Sequence, residues 1–321
     1  MNKKLAIQFR KSEKPRYHYL RLKYCPHCDN FSVLWQPHCD VCGREHSYIP
    51  VEAITQRLAR RNRQIQLLGL IVLLSFSVFV SSTMTELIVS LVSSLLLLIG
   101  FRLMQQQFAE VEKMTLLDRY LQGEGTKIRQ ALLRHIQQAV ADAKASRYKD
   151  AYEKLREVGH FLHDDTVKIR KIMYLNHFIL RKDMDLELDT LIPSRYDRDF
   201  ITYLREVAKL KPALLKKRVL DYCLLHREKI RGHEHGVEVL THAASAALRM
   251  KAYVDRYQVL LLDMLEHLPK ERLLRLAKLL KSRPAGEWPE LYARTQSLIM
   301  TKHAFDPEFH EWTNPADQPQ P

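Results

Sequence analysis

Five cysteines occur in this chain of 321 residues, and four of them fall in two closely spaced pairs. Cys25-Pro26-His27-Cys28 and Cys39-Asp40-Val41-Cys42-Gly43 are separated by ten residues, a spacing that lets two tight turns bring four sulfurs to the corners of one tetrahedron. Thiolates are soft anionic donors, and a set of four suits Zn2+ best. Four protein ligands leave no open position for water or substrate, so the expected metal is structural. An iron or redox-active centre and a pair of disulfides are the alternatives, and a reducing compartment disfavours the disulfides. His27, His38 and His46 lie nearby as further donors. The simplest ligand set is Cys25, Cys28, Cys39 and Cys42.

The remaining chemistry-bearing residues carry less. Cys223, inside the apolar run Leu220 to Leu225, reads as a buried core thiol. His233-Glu234-His235, with His226 and His242 to either side, places two histidines two residues apart, which do not share a helix face, and reads as a hydrated loop. His160 and His163, ahead of Asp164 and Asp165, read as a solvated helix end. The alternating carboxylates from Asp183 to Asp189 lack the central Gly and terminal Glu of a calcium loop and read as a surface connector. Gly123-Glu124-Gly125-Thr126-Lys127 lacks the spacing of a phosphate-binding loop, and no Gly-x-Ser-x-Gly elbow occurs. The expectation is a binding protein and not an enzyme.

Around the cysteines, Pro26 and Gly43 supply turn geometry, and alternation in Tyr17, Tyr19 and Arg21 to Tyr24, and in Phe31 to Trp35, suggests short strands. With its CPxC and CxxCG knuckles, the segment from Arg16 to Tyr48 (residues 16–48) resembles the zinc-ribbon family. The resemblance implies a small β-hairpin fold around one zinc. It leaves the task open, because ribbons serve in nucleic-acid machines, in protein contacts and as plain staples.

The elements that hold this module are legible from hydropathy. Ile65 to Ser82 and Leu87 to Met104 are apolar runs of about 18 residues, each covering roughly 27 Å as a helix, just enough to span a hydrocarbon core. Thr83-Met84-Thr85-Glu86 joins them, fit for an antiparallel hairpin and too short for an external domain, with Glu86 at the far interface. Ser90, Ser93 and Ser94 are small residues that would let the two helices approach closely. Met1 to Lys23 is basic and aromatic without the apolar core of a signal peptide, so no secretory signal is expected there. Arg57, Arg60, Arg61 and Arg63 precede the first run and Arg102 ends the second, with no Lys or Arg from Gln64 to Phe101, so both termini are expected in the cytoplasm.

Lys and Arg number 51 against 37 Asp and Glu, a net charge of +14. Residues 1–64 hold 13 of the basic and 5 of the acidic side chains, so the excess concentrates beside the membrane entry. Arg10, Lys11, Lys14, Arg16, Arg21 and Lys23, interleaved with Tyr17, Tyr19, Tyr24 and Trp35, would suit phosphate contact and base stacking, and equally a small strand surface.

From Gln105 onward the apolar spacing is helical. Phe108, Val111, Met114, Leu117 and Leu121 continue the second membrane helix to Gln122. Further helices are expected at Thr126–Ala145, Tyr148–His160, Asp165–Arg181, Asp197–Lys209, Pro212–Lys229, Gly236–Met250, Tyr253–His267, Pro269–Lys281 and Trp288–His303. Ala139, Ser146-Arg147-Tyr148-Lys149-Asp150-Ala151 and Leu155 match the small and aromatic positions of a helix-turn-helix unit, and residues 132–163 resemble a single tetratricopeptide repeat, with His135 where that family places a large aromatic. The resemblance implies a repeat-like solenoid, with an irregular bundle as the alternative.

The expected fold is mainly α: a small β zinc ribbon, a two-helix transmembrane hairpin, then an α-helical repeat-like domain. The expected divisions are 1–50 for the ribbon with its basic N-terminal segment, 51–64 for a basic juxtamembrane segment, 65–104 for the hairpin, 105–305 for the cytoplasmic helical domain and 306–321 for a disordered tail. Such a chain would be an integral protein, with the bacterial plasma membrane as first expectation. It would act as an adaptor or scaffold with structural Zn2+ and protein partners, a homo-oligomer being compatible with that design. A membrane-tethered nucleic-acid-binding regulator and an accessory subunit of a transporter or enzyme complex are the alternatives.

Overall fold

The structure is a computed structural model and describes residues 4–12, 15–282 and 287–313. It is mainly helical with one small sheet, and it divides into two compact units, Lys11–Ala141 and Met1–Arg10 with Asp142–Pro321.

In the first unit, β1 (Lys23–Cys25), β2 (Asn30–Ser32) and β3 (Ile49–Pro50) form an antiparallel sheet in the order β2-β1-β3. Tyr24 pairs with Phe31 on one side and Ile49 on the other, which fixes the register of all three strands. Leu22, Phe31, Val33 and Leu34 are buried beneath it.

Pro50, unable to donate to the ladder, ends β3 and opens α1 (Val51–Phe79). Val51, Thr55 and Ala59, four residues apart in turn, bury one stripe of its first half. At roughly 1.5 Å per residue α1 is about 43 Å long, more than a hydrocarbon core of about 30 Å, so the helix outruns its own apolar run. Residues 51–64 are the opening turns of this helix.

α2 (Met84–Gln107) starts at a capping box. The Glu86 backbone N–H donates to Thr83 Oγ1 at 3.3 Å, and the Thr83 N–H donates back to Glu86 Oε2 at 3.3 Å. α1 and α2 are both long and apolar enough to cross a membrane, and the side chains of their apolar stretches face almost entirely outward. The Ser77 and Ser90 hydroxyls meet between them at 3.1 Å, and Ser94 is buried.

α3 (Ala109–Gly123) continues α2 through a slight break at Phe108, across which Phe108 N–H reaches Met104 O and Glu112 N–H reaches Phe108 O. It packs on the first half of α1, where Lys113 Nζ lies 2.5 Å from Glu52 Oε1 and Asn62 donates to Glu112 at 2.8 Å. The basic half of α1 and α3 thus form a polar-edged two-helix stalk below the apolar hairpin. α4 (Gly125–Lys144) follows and carries the chain across the unit division.

The second unit runs through α5 (Tyr148–Val158) and α6 (Asp165–Leu175), then helices Arg198–Leu210, Lys217–Leu225, Arg227–Arg231, Gly236–Ala247, Lys251–Arg256, Gln258–Met264, Lys270–Lys281 and Pro289–Lys302. α5 packs on α6, α6 on Arg198–Leu210, that helix on Gly236–Ala247, and the last on Gln258–Met264. Helix lengths from 4 to 14 residues follow no common unit. Where Gly236 stands, a Cβ would lie 1.6 Å from the carbonyl oxygen of Ile230, so the corner before that helix closes only on glycine.

Several features depart from expectation. The helix expected over Asp165–Arg181 stops at Leu175, because residues 177–179 bond instead to the N-terminal segment: Leu5 N–H donates to His177 O and Ile179 N–H to Leu5 O, both at 2.9 Å. Phe9 adds its ring to Tyr152 and Phe178 at 4.7 and 5.5 Å, so residues 4–10 belong to the helical unit and not to the ribbon. The alternating stretch from Asp183 to Asp189 buries Met184, Leu186 and Leu188 and sends Glu187 to Lys171 at 2.5 Å, where a surface connector was expected. Residues 306–313 are ordered as the turn Pro307–Phe309 and the helix His310–Thr313, since Phe309 and Trp312 bury their rings; the rest of the tail, 314–321, lies outside the described residues.

Candidate metal centre

The Cys25 to Cys28 knuckle is the β1–β2 turn, where Asp29 takes a left-handed φ of 53° so that Asn30 returns to pair with Cys25. The second knuckle is closed by Gly43, at φ 71°, whose N–H donates to Cys39 O at 2.9 Å, and by Cys39 N–H donating to Arg44 O at 2.9 Å. The sulfurs of all four cysteines lie within 4.8 Å of one another. Cys25 and Cys42 are 3.8 Å apart, Cys28 and Cys39 3.5 Å. A tetrahedron with metal–sulfur bonds of about 2.3 Å has edges of about 3.8 Å, whereas a disulfide needs about 2.05 Å. The set therefore fits one metal ion and no disulfide.

The donor chemistry agrees. Burial opposes ionisation of Cys25, but hydrogen bonds from the Ser47 hydroxyl and the His27 and Cys28 N–H groups outweigh it and hold the thiol down at about 6. Cys39 is buried too, and the Cys42 and Val41 N–H groups lower it. Cys28 goes the other way, pushed up by burial and by the sulfurs of Cys39, Cys25 and Cys42. Four sulfurs gathered this closely could hold one metal ion such as Zn2+. Among the described residues no other group of three or more His, Cys, Asp or Glu side chains converges in this way, at the His233–His235 loop and the His160–Asp165 turn included. Cys223 is fully buried and its thiol is pushed up to about 12 by that burial, as a core thiol should be.

The module is seated on α4 through one face of that helix. Lys127 pairs with Asp29, Arg134 donates to Asn30, and His135 Nε2 lies 3.1 Å from Asp40 Oδ2. Tyr120, near the end of α3, meets Phe31 at 6.4 Å. Burial works against the Asp40 carboxylate, but the hydrogen bond and charge of His135, then Gln138, hold it below its ordinary value.

Ser32, His135 and Asp40 are the residue types of a hydrolase triad, yet their geometry excludes that relay. One ring nitrogen, Nε2, faces both Ser32 Oγ at 3.4 Å and Asp40 Oδ2, while the buried Nδ1 makes no hydrogen bond. A relay needs serine and carboxylate on opposite nitrogens. His135 is a strut beneath the metal knuckle. Its replacement by Ala leaves Asp40 half-buried without its main donor, an expected cost of about 1–3 kcal/mol; the check is faster transfer of metal to a chromogenic chelator, with thermal melting alongside.

The paired spacing marks the four cysteines that converge, and it carries no sign of Ser47, Asp40 and His135 around them. The one available signal was His135, standing where the tetratricopeptide resemblance places a large aromatic. Much of the basic and aromatic set is engaged internally: Lys23 Nζ donates to Leu34 O at 3.3 Å, Arg21 to Ser12 at 3.3 Å, and the Tyr24 ring packs tilted against Phe31 at 5.3 Å. Arg10 belongs to the other unit, its N–H donating to Glu153 at 2.7 Å. Tyr17 and Tyr19 stack on each other at 5.3 Å with Arg16 over Tyr17, and Lys14 lies outside the described residues. A scan against protein-family models and searches of curated proteins and of solved structures return no match to this chain.

Proposed function

We propose that the chain is a membrane-anchored cytoplasmic adaptor or scaffold, in which a zinc ribbon and an α-helical, repeat-like domain bind protein partners beside the membrane that the hairpin crosses. Both termini face the cytoplasm in this reading, and the membrane is a bacterial plasma membrane. The observation that carries it is the seating of a closed four-sulfur centre, by Lys127, Arg134 and His135, on the helix that follows the apolar hairpin and its stalk. A centre with no open coordination position supplies rigidity and not catalysis, and a ribbon held to a stalk presents a fixed surface at a fixed height. The internal engagement of Lys23, Arg21 and Tyr24 favours this over a nucleic-acid reader.

The test is a crosslinked pull-down of full-length protein from native membranes, beside a variant with Cys25, Cys28, Cys39 and Cys42 all changed to Ser. A defined protein partner, lost from a variant still in the membrane, supports the adaptor and puts the contact on or near the ribbon. Recovery of nucleic acid would replace it with the tethered regulator, and stoichiometric recovery of a transporter or membrane enzyme by both proteins with the accessory-subunit reading.

A further inference from the structure

At the base of the apolar hairpin, where α1 and α2 enter the stalk, a pocket of about 290 Å³ is lined by Arg60, Arg63, Gln64 and Leu67 from α1 and Arg102, Gln105 and Gln106 from α2. The spacing explains why they converge. Positions 60, 63, 64 and 67 make one stripe of α1, and 102, 105 and 106 one stripe of α2, so the two stripes face each other across the antiparallel pair. Gln105 pins the junction, donating from Nε2 to Arg63 O at 3.4 Å and to Gln66 Oε1 at 3.5 Å.

The pocket is rich in positive charge. Glu112 lies 3.3 Å from Arg63 Nε, but among the described residues neither Arg60 nor Arg102 has a carboxylate within ion-pair distance. Three guanidiniums therefore face one carboxylate, and guanidinium forks match phosphate oxygens. The position is as telling as the charge. No Lys or Arg occurs between Gln64 and Phe101, and Leu67 lines the pocket on the side where the exposed apolar surface of Leu68 and Val72 begins. A ligand that used every part of this site would carry a phosphate for the arginines, acceptors for the glutamines and hydrocarbon directly beyond them.

We infer that this pocket is a binding site for the headgroup of an anionic glycerophospholipid, with its phosphate held by Arg60, Arg63 and Arg102 and its acyl chains lying along the apolar hairpin. A soluble phosphate would use the arginines and leave Leu67 and the apolar surface beyond it idle. The inference rests on the reading of α1 and α2 as a membrane hairpin. Charge at this level then does more than orient the chain: it selects the lipid around it.

The test uses full-length protein reconstituted into nanodiscs holding equal amounts of phosphatidylcholine and phosphatidylglycerol, then extracted in mild detergent, with retained lipid counted by native mass spectrometry. Phosphatidylglycerol should be retained over phosphatidylcholine by about tenfold. Arg60→Gln, Arg63→Gln and Arg102→Gln together should abolish that preference, whereas Arg57→Gln, Arg61→Gln and Arg119→Gln, which remove the same charge outside the pocket, should preserve it. Equal retention of the two lipids by the wild type, which needs no variant to fold, overturns the site. Equal loss in both triple variants overturns it in favour of diffuse charge attraction, and release of the bound lipid by inorganic phosphate at unchanged ionic strength assigns the pocket to a soluble phosphate. A protein that remains soluble without detergent and enters no disc overturns the hairpin reading and this inference together; entry without selectivity overturns the lipid site alone.

Discussion

Removing the metal is expected to unfold residues 23–50 and leave the helices of the second unit intact. The sheet has strands of three, three and two residues, far too short to hold together alone, and apart from cysteines the buried apolar side chains around it are few: Leu22, Phe31, Val33 and Leu34. In modules of this size the metal supplies the folding free energy, on the order of 10–16 kcal/mol near neutral pH. Losing it also releases what the knuckles position, namely Asp29 on Lys127, Asn30 on Arg134 and Asp40 on His135. The experiment is hydrogen exchange on full-length protein in detergent, with metal content measured in parallel, before and after chelation and in Cys25→Ser/Cys28→Ser. About one zinc per chain is expected in the wild type and none in the variant. Amides of Tyr24 and Phe31 should lose protection, while those of Tyr203 and Leu204, buried in the Arg198–Leu210 helix, keep theirs. Retention of metal by the variant, or unchanged protection at Tyr24 and Phe31, would show that the four cysteines do not hold the fold.

The convergence of the four cysteines was legible because its information is local: two residues between partners and a turn former beside each pair. The apolar runs were legible for a similar reason, since a charge-free stretch from Ile65 to Ser82 has few other uses. Most helix positions in the second unit followed from spacing, but Pro212–Lys229 is divided into a turn, Pro212–Leu214, and the helices Lys217–Leu225 and Arg227–Arg231, Gly236–Met250 ends at Ala247, and Tyr253–His267 is divided into Lys251–Arg256 and Gln258–Met264. What could not be read was partnership at a distance. Asp40 and His135 stand 95 positions apart, and neither residue type announces the other. Leu5 and Phe9 sit in a basic, unpatterned segment, and nothing local says that they close over Phe178 and Tyr152. Residues 51–64 looked like a charge cluster because Arg57, Arg60, Arg61 and Arg63 dominate the composition, while the buried stripe of Val51, Thr55 and Ala59 runs between them.

Asp142→Ala should be the most damaging single change in the second unit outside its apolar core. The Asp142 carboxylate receives Lys154 Nζ at 2.6 Å and Arg147 at 2.5 Å, and both Asp142 and Lys154 are buried. Burial alone would raise this carboxyl, but the hydrogen bonds and charges of Lys154 and Arg147 more than reverse that and lower it below its ordinary value of 3.8. Truncation removes the partner and leaves the Lys154 ammonium stranded, which in buried pairs costs about 3–5 kcal/mol. Lys154→Met, which removes the stranded charge and keeps the buried stem, should be milder, and Asp142→Ala/Lys154→Met should recover most of what Asp142→Ala loses. The same pair sets an acid dependence. A carboxyl lowered in the folded state contributes stability that is complete above its unfolded value, near 3.8, and is lost as pH falls through the lower folded value. Urea denaturation of the wild type and the three variants, followed by far-ultraviolet circular dichroism, should therefore find that the gap between wild type and Asp142→Ala narrows as pH falls below 4 toward 2. A gap that stays constant over that range would mean that the carboxylate's charge does not stabilise the fold and that the loss comes from packing alone.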